Sequence, residues 1–271
     1  MSVSIRLGVA VRGSFTRRHV PAGVVSQNLI HYLPIASTLV AIGFFRVLWL
    51  HWRKNPSARY VMWWMIGVGL YGTGTATEAL TTVFSWNEPV FRAWYVSGAL
   101  LGGAPLAQGT VYLLVPRRIA DRLTVALITY VAIASSFVLT TPIDYTLVEQ
   151  HRLSGEVMVW QWVRLFSPLV NLYAVIFLIG GAIWSAWRYR RRGDSSNRVR
   201  GNVLIAVGAI LPGVGGGFAR AGMVEVLYVA ELVGLLLIWA GYRVIASDRS
   251  TSIHPEQAAR GTPPPQPTRK N

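Results

Sequence analysis

The chain has 271 residues, of which 52% are hydrophobic and only 14% are charged, with a formal net charge of +15. A soluble domain of this length needs more polar surface than this, so the composition excludes an ordinary soluble protein. The absence of cysteine excludes disulfides and thiolate metal sites. The basic residues lie in short loops and tails, where membrane topology places them, so we expect no nucleic-acid partner.

Seven apolar runs of about 20 residues or more follow a polar leader, and each is long enough to cross a hydrocarbon core of about 30 Å. The runs are residues 27–50, 60–84, 93–115, 123–142, 160–186, 201–219 and 223–245. Backbone groups in lipid must be satisfied internally, so the runs are predicted to be helices. We therefore predict an all-α integral membrane protein with seven transmembrane helices in one domain, residues 27–245. Six spans, without the glycine-rich sixth run, is the alternative.

The distribution of arginine predicts the orientation. The loops at 51–59, 116–122 and 187–200 are basic, whereas the opposite side carries only Arg92, Arg152 and Arg220. Basic loops stay in the cytoplasm, so we expect a cytoplasmic C-terminus and an outside N-terminus in a bacterial inner (plasma) membrane.

The two ends of the chain are polar. The leader, residues 1–26, contains four arginines that this orientation would translocate. Either it escapes the rule by its length or the true start lies near Val20–Val25, and we favour the second. The proline-rich residues 246–271 are expected to form a disordered cytoplasmic tail.

Cofactor and catalytic signatures are missing from the sequence. The two lysines, Lys54 and Lys270, lie outside the apolar runs, which excludes a retinal Schiff base. The chain has no HExxH motif, no Gly-x-Ser-x-Gly motif and no Asp/His cluster. We therefore expect no cofactor, no metal and no enzymatic activity.

Four ionisable residues, Glu78, Arg164, Arg220 and Glu231, lie near the predicted outer ends of spans two, five, six and seven. At 1.5 Å per residue, the two carboxylates lie roughly 9–12 Å below the outer boundary. Ionisable groups inside a membrane are costly and mark functional sites. We predict a ligand-binding pocket in which at least one glutamate contacts an arginine, with Asn171 as a further polar candidate. A structural ion pair is the alternative interpretation.

The sixth span contains Pro212, Gly213, Gly215, Gly216 and Gly217. Proline removes a backbone donor and glycine weakens a helix, so residues 211–217 are predicted to kink or unwind. Such a break often lines a ligand cavity. Close packing of a thin helix against a neighbour is the alternative.

Other small and aromatic residues predict packing and anchoring. The pairs Gly98/Gly102 and Gly213/Gly217 are expected to let helix backbones approach closely. Trp94, with other tryptophans near span ends, is expected to be an interfacial anchor.

Several degenerate patterns occur between residues 46 and 245. They are a basic first loop followed by the Gly-rich run from Gly67 to Glu78, a longer external loop at 143–159, the pattern from Arg200 to Leu211-Pro212, and Tyr242-Arg243 at the end of the last span. In these features the chain resembles the seven-transmembrane sensor region found N-terminal to some bacterial histidine kinases and diguanylate cyclases. No output domain follows Arg243 here, so the resemblance implies a stand-alone relative that signals through a separate protein.

These observations favour a sensor-like or ligand-binding membrane protein with a polar cavity in the outer leaflet. A small transporter or lipid-handling permease, gated by a broken sixth helix, is the first alternative. A structural subunit of a membrane complex is the second. Transporters often contain internal repeats, and the absence of a convincing repeat favours the first function.

Overall fold

The computed structural model describes residues 30–193 and 196–251, and within them the chain is helical apart from turns, short irregular loops and one isolated bridge between Ile143 and Met158. The predicted leader and most of the predicted tail lie outside the described residues. The α-helices, in chain order, are α1 (Leu33–Lys54), α2 (Arg59–Phe84), α3 (Glu88–Trp94), α4 (Ala104–Leu114), α5 (Arg117–Thr140), α6 (Phe166–Ala174), α7 (Gly181–Arg191), α8 (Ser196–Arg220) and α9 (Val224–Thr251).

Five helical segments in the described part of the chain are long and apolar enough to cross a membrane. They are α1, α5, α8, the segment Gln161–Arg191 that contains α6 and α7, and residues Val224–Ser247 of α9. The predictions of an all-helical, multi-pass membrane protein are therefore confirmed. The second predicted span, α2, and the third, which is divided between α3 and α4, are not among the five.

The strongest helix irregularities lie in the third and fifth predicted spans. A π-helical turn, Tyr95–Leu100, follows α3, and the chain then turns at Gly102 with φ +43° before α4 begins. A second π-helical turn, Val175–Gly180, joins α6 to α7. The positive φ at residue 102 favours glycine, and a Cβ atom there would also lie 2.8 Å from the side-chain oxygen of Asn171 in α6.

The predicted break at residues 211–217 is wrong, because α8 runs from Ser196 to Arg220 with Pro212 inside it. Pro212 cannot bond the Gly208 carbonyl, but unwinding the segment in lipid would leave several more backbone groups without partners. Pro212 also packs against Gly234 of α9, where its ring carbons are 3.0 and 3.3 Å from the position of a Cβ atom. A neighbouring helix thus supports α8 at the proline.

Glycines at seven-residue spacing join α8 to α9 in an antiparallel hairpin, which we call the glycine seam. It comprises the facing pairs Gly201/Gly241, Gly208/Gly234 and Gly215/Leu227. A Cβ atom on Gly208 would lie 2.6 Å from the Gly234 carbonyl oxygen, and the reverse distance is also 2.6 Å. This is the close packing that the sequence offered as an alternative to a break.

The glycine pairs predicted from sequence have different outcomes. Gly98 lies against Gly74 of α2, at 3.4 Å from the position of a Cβ on Gly74, so close helix approach is confirmed there. Gly213 and Gly217 have open space around them, so the predicted contact at that pair is wrong. They lie off the face that carries the seam.

An arginine clamp holds the end of α5 against α3. Arg92 donates through Nη1 and Nη2 to the carbonyl oxygens of Val138 and Thr141, at 2.5 and 2.9 Å. Its Nε donates to Glu88 Oε1 at 2.8 Å, and the Tyr145 hydroxyl donates to the other oxygen of Glu88 at 2.5 Å. Arg92 thus satisfies carbonyls at the C-terminus of a helix, which otherwise have no intrahelical partner.

This clamp should weaken in acid. The hydrogen bond from Tyr145, together with Arg92, lowers the pKa of Glu88. A lowered folded-state pKa gives stability that is complete above the unfolded pKa, about 4.3, and that is lost as the pH falls through the folded value. The difference in thermal midpoint between the wild type and Glu88→Gln should therefore be present at pH 7 and shrink below about pH 4. A difference independent of pH, or one equally large for the exposed control Glu149→Gln, would contradict the assignment.

Candidate functional site: a buried carboxyl pair

Glu78 lies on the buried face of α2, two turns before its end, and only 6% of the residue is exposed. Its Oε1 accepts a hydrogen bond of 2.9 Å from Trp94 Nε1 at the end of α3. Its Oε2 is buried and has no hydrogen-bond partner among the described residues. One of the two carboxyl oxygens of Glu78 therefore lacks a hydrogen bond at a buried position.

Glu231 of α9 lies near Glu78 of α2, and the two carboxyl groups are within electrostatic range of each other. Its Oε2 is likewise buried without a hydrogen-bond partner in the described part of the chain. The Tyr71 hydroxyl donates to the Glu231 backbone carbonyl at 2.8 Å, which fixes α9 against α2 at this level. The buried Tyr228 lies within electrostatic range of both carboxyl groups. We call Glu78 and Glu231 the carboxyl pair.

The predicted arginine partners are not at this site. Over residues 30–193 and 196–251, neither carboxyl group forms an ion pair with Arg164 or Arg220, so that predicted contact is wrong. Arg164 Nη1 instead donates to Gln161 Oε1 at 2.8 Å, and Arg220 is exposed at the end of α8. Residues predicted to lie at the same membrane depth can point in different directions, because the direction depends on the rotation of each helix about its axis. Long arginine side chains can also extend to the membrane interface.

The remaining sequence candidates also lie elsewhere. Asn171 is exposed on α6 beside the Gly102 turn, and Pro212 with its neighbouring glycines forms part of α8. Of the five ligand-binding candidates, the structure brings together only Glu78 and Glu231.

From the sequence, Trp94 is given a different role and Tyr71 is not identified as part of the site. Trp94 is predicted to be an interfacial anchor, yet its indole donates to Glu78. Tyr71 is absent from the sequence candidates, although its hydroxyl joins α2 to α9. The sequence spacing indicates that Tyr71 belongs to the same site, because Tyr71 and Glu78 are seven residues apart and therefore lie on one face of α2.

The chemistry of the pair follows from its charge. A single unpaired carboxylate in an apolar environment costs several kcal/mol, and a second carboxylate beside it adds repulsion. Among the described residues no cationic side chain forms an ion pair with either group, so ionising both carboxyl groups together is costly and the pair favours a shared proton or a bound small cation. A proton on one glutamate also allows that carboxyl group to donate a hydrogen bond to the other.

A second polar chain lies at the other end of α2. It comprises, in order, Arg59, Asp121, Tyr112, Thr124, Gln108 and Tyr173, each joined to the next by a hydrogen bond. Gln108 is fully buried and its amide donates to both the Thr124 hydroxyl and the Ala120 carbonyl, so its bonding capacity is used within the protein. We assign this chain to the attachment of α5.

Comparisons with protein-family models, with curated proteins and with solved structures find no match for this chain. Function is therefore inferred from the residues and their geometry.

Proposed function

We propose that the protein is a membrane sensor that responds to protonation, or to binding of a small cation, at the carboxyl pair. The observation that supports this proposal is that two buried carboxyl groups lie within electrostatic range of each other, each has an oxygen without a hydrogen-bond partner, and no cationic side chain among the described residues forms an ion pair with either group. Intramembrane glutamates of this kind are typical of proton relays and ion sites. Sensing would be non-enzymatic and would require no cofactor and no nucleic acid.

The proposed topology keeps seven spans. The helix α2 has 26 residues and is about 39 Å long, which suffices to cross a bilayer. Much of α2 consists of glycine, threonine and aromatic residues, so the helix is less hydrophobic than a span rich in leucine, isoleucine and valine. Together with the divided segment from α3 to α4 it would complete seven spans, with the N-terminus outside and the C-terminus in the cytoplasm of a bacterial cell. The carboxyl pair would then lie in the outer half of the membrane.

The carboxyl pair lies between α2 and α9, so a change in its charge would be transmitted through these two helices. Loss of the shared proton places two negative charges together at low dielectric, which favours separation of α2 from α9. The glycine seam fixes α9 to α8, so the two helices would move as a unit. From Glu231 to the last described residue, α9 extends about 30 Å. A displacement at the pair would therefore reach the opposite membrane surface, where a separate signalling protein would read it.

The transporter alternative loses its main support. It depended on a broken sixth helix that could act as a gate, and α8 is continuous across residues 211–217. The sensor proposal does not depend on that break.

The proposal predicts a movement that depends on pH. Because the native chain has no cysteine, spin labels can be placed on Ser57→Cys and Arg243→Cys, near the start of α2 and the end of α9. In lipid nanodiscs, the distance distribution between the labels should shift as the pH is raised. Glu78→Gln and Glu231→Gln, which stay uncharged, should remove the shift.

The matched control is Glu225→Gln. Glu225 lies in the first turn of α9, about 3.7 Å from His31 and partly exposed, so it tests a carboxyl group outside the pair. The shift should persist in this variant. No shift in the parent protein, or an equal shift in the Glu78→Gln and Glu231→Gln variants, would contradict the proposal.

A further inference from the structure

The helix α5 packs along one side against the bundle, with polar contacts near its start and aromatic contacts towards its end. Near its start, the Gln108 amide donates to the Thr124 hydroxyl at 2.8 Å, and the Tyr112 hydroxyl donates to Asp121 at 2.7 Å. Towards its end, the rings of Phe137 and Phe166 stack with their centroids 5.8 Å apart. Between these contacts, Leu127 and Ala134 are buried and the Tyr130 hydroxyl donates to the Phe166 carbonyl.

A cleft of about 230 Å³ opens between α5 and α6. It is lined by Leu123, Ala126, Leu127, Tyr130, Leu169, Val170 and Tyr173. The cleft has room for several water molecules. The two phenols, however, already donate to Phe166 and Gln108, so the cleft offers water almost no hydrogen-bond partner. Its lining therefore suits an apolar occupant.

The start of α5 supplies positive charge beside the cleft. Arg118 and Arg122 are exposed, and neither forms an ion pair in the part of the chain that the structure describes. The nearby Asp121 is already engaged by Arg59, at 2.5 Å. Arg122 precedes Ala126 by four residues, so the two side chains lie on one stripe of the helix. An unpaired guanidinium thus lies at the end of an apolar cleft.

We propose that this cleft binds one acyl chain of an anionic phospholipid, with the lipid phosphate held by Arg118 and Arg122. The geometry matches the bilayer, because Leu123 to Tyr130 spans about 10 Å along α5 and one leaflet of the hydrocarbon core is about 15 Å thick. Guanidinium groups bind phosphate through paired hydrogen bonds, and basic residues at this depth attract anionic headgroups. The bound lipid would fill the space between α5 and α6 and support α5 along its middle. This site is separate from the carboxyl pair and does not rest on the proposed sensing function.

Native mass spectrometry can test the site on the full-length protein released from mild detergent. The probes are phosphatidylglycerol and phosphatidylcholine of the same acyl composition, added to delipidated protein. The wild type should bind one phosphatidylglycerol more tightly than phosphatidylcholine. Ala126→Trp, which fills the cleft, should abolish this binding step for both lipids. Arg122→Gln should weaken phosphatidylglycerol alone by about five-fold, the equivalent of about 1 kcal/mol for one basic residue.

Two matched variants keep the test specific. Val125→Trp adds the same ring one position away, on a residue that is 65% exposed and does not line the cleft. Arg53→Gln removes an arginine that lies over Trp49 on α1, away from the cleft. Both should bind phosphatidylglycerol like the wild type, and all variants should keep the wild-type thermal midpoint without added lipid to within a few degrees.

Three lipid-binding results would overturn the proposal. They are equal binding of the two lipids by the wild type, unchanged phosphatidylglycerol binding in Ala126→Trp, and equal loss in Val125→Trp. A dimer that forms in the wild type and disappears in Ala126→Trp would likewise overturn it, because the cleft would then accept a second copy of the chain. If Ala126→Trp alone fails to fold, the selective effect of Arg122→Gln on phosphatidylglycerol decides the question.

Discussion

Replacing Gly208 with leucine should destabilise the protein by about 3 kcal/mol or more, because the new side chain has to separate α8 from α9. A Cβ atom there would meet the backbone of α9, at 2.6 Å from the Gly234 oxygen and 3.0 Å from the Ile238 nitrogen. Backbone atoms cannot rotate away as a flexible side chain can. Thermal unfolding in detergent, followed by near-UV circular dichroism, should show a clearly lower midpoint for Gly208→Leu.

The control for this substitution lies on the same helix. Gly213 is exposed and has no atom within 4 Å of the position that a Cβ would occupy, so Gly213→Leu adds a good helix former to an open face. Its midpoint should equal or exceed that of the wild type. Equal losses for both variants would mean that glycine is needed along α8 for another reason, and the glycine seam would not be the contact that holds the hairpin.

Replacing Glu78 with alanine should cost about 2–3 kcal/mol. The substitution leaves the Trp94 indole N–H without its acceptor and leaves empty space beside Glu231. Glu78→Gln keeps an oxygen that can accept from Trp94, and no cationic side chain in the described part of the chain forms an ion pair with Glu78, so its stability should stay within about 1 kcal/mol of the wild type. Thermal midpoints of the two variants measured side by side at neutral pH test this difference.

The comparison also separates the two interpretations that the sequence left open. A structural ion pair with an arginine would make Glu78→Gln cost several kcal/mol, since a buried charge would lose its partner. A neutral or proton-sharing pair predicts a small loss for Gln and a larger one for Ala. A large loss for Gln would contradict the geometry of the carboxyl pair.

The sequence predicts the helices well because apolar runs in lipid have few alternatives to helix. Intramembrane threonines commonly bond their own helix, and the Thr73, Thr77 and Thr81 hydroxyls each donate to the carbonyl four residues earlier. Both properties depend on local chemistry alone.

The contacts of the site depend on helix rotation, which depth along the chain does not determine. Glu78 and Glu231 meet at the matching depth that the sequence predicts, but Arg164 and Arg220 at a similar depth leave their helices elsewhere. Glycine content likewise predicts weakness in α8 without showing that Gly208 packs on a neighbour. In the third span, Gly102, Gly103 and Pro105 mark the turn after the π-helical segment, but the same residue types lie inside the continuous helix α8, so composition alone does not distinguish the two segments.

The protonation state of the carboxyl pair tests the central claim most directly. Infrared difference spectroscopy of the protein in lipid bilayers, recorded as the pH is changed, detects the carbonyl stretch of a protonated carboxyl group. The wild type should show such a band at neutral pH, where an exposed glutamate is ionised. The band should shift or vanish in Glu78→Gln and Glu231→Gln, and should be unchanged in Glu225→Gln. If the wild type shows no protonated carboxyl at neutral pH and binds no small cation, both carboxylates are ionised and hydrated, and the proposed role of the pair is wrong.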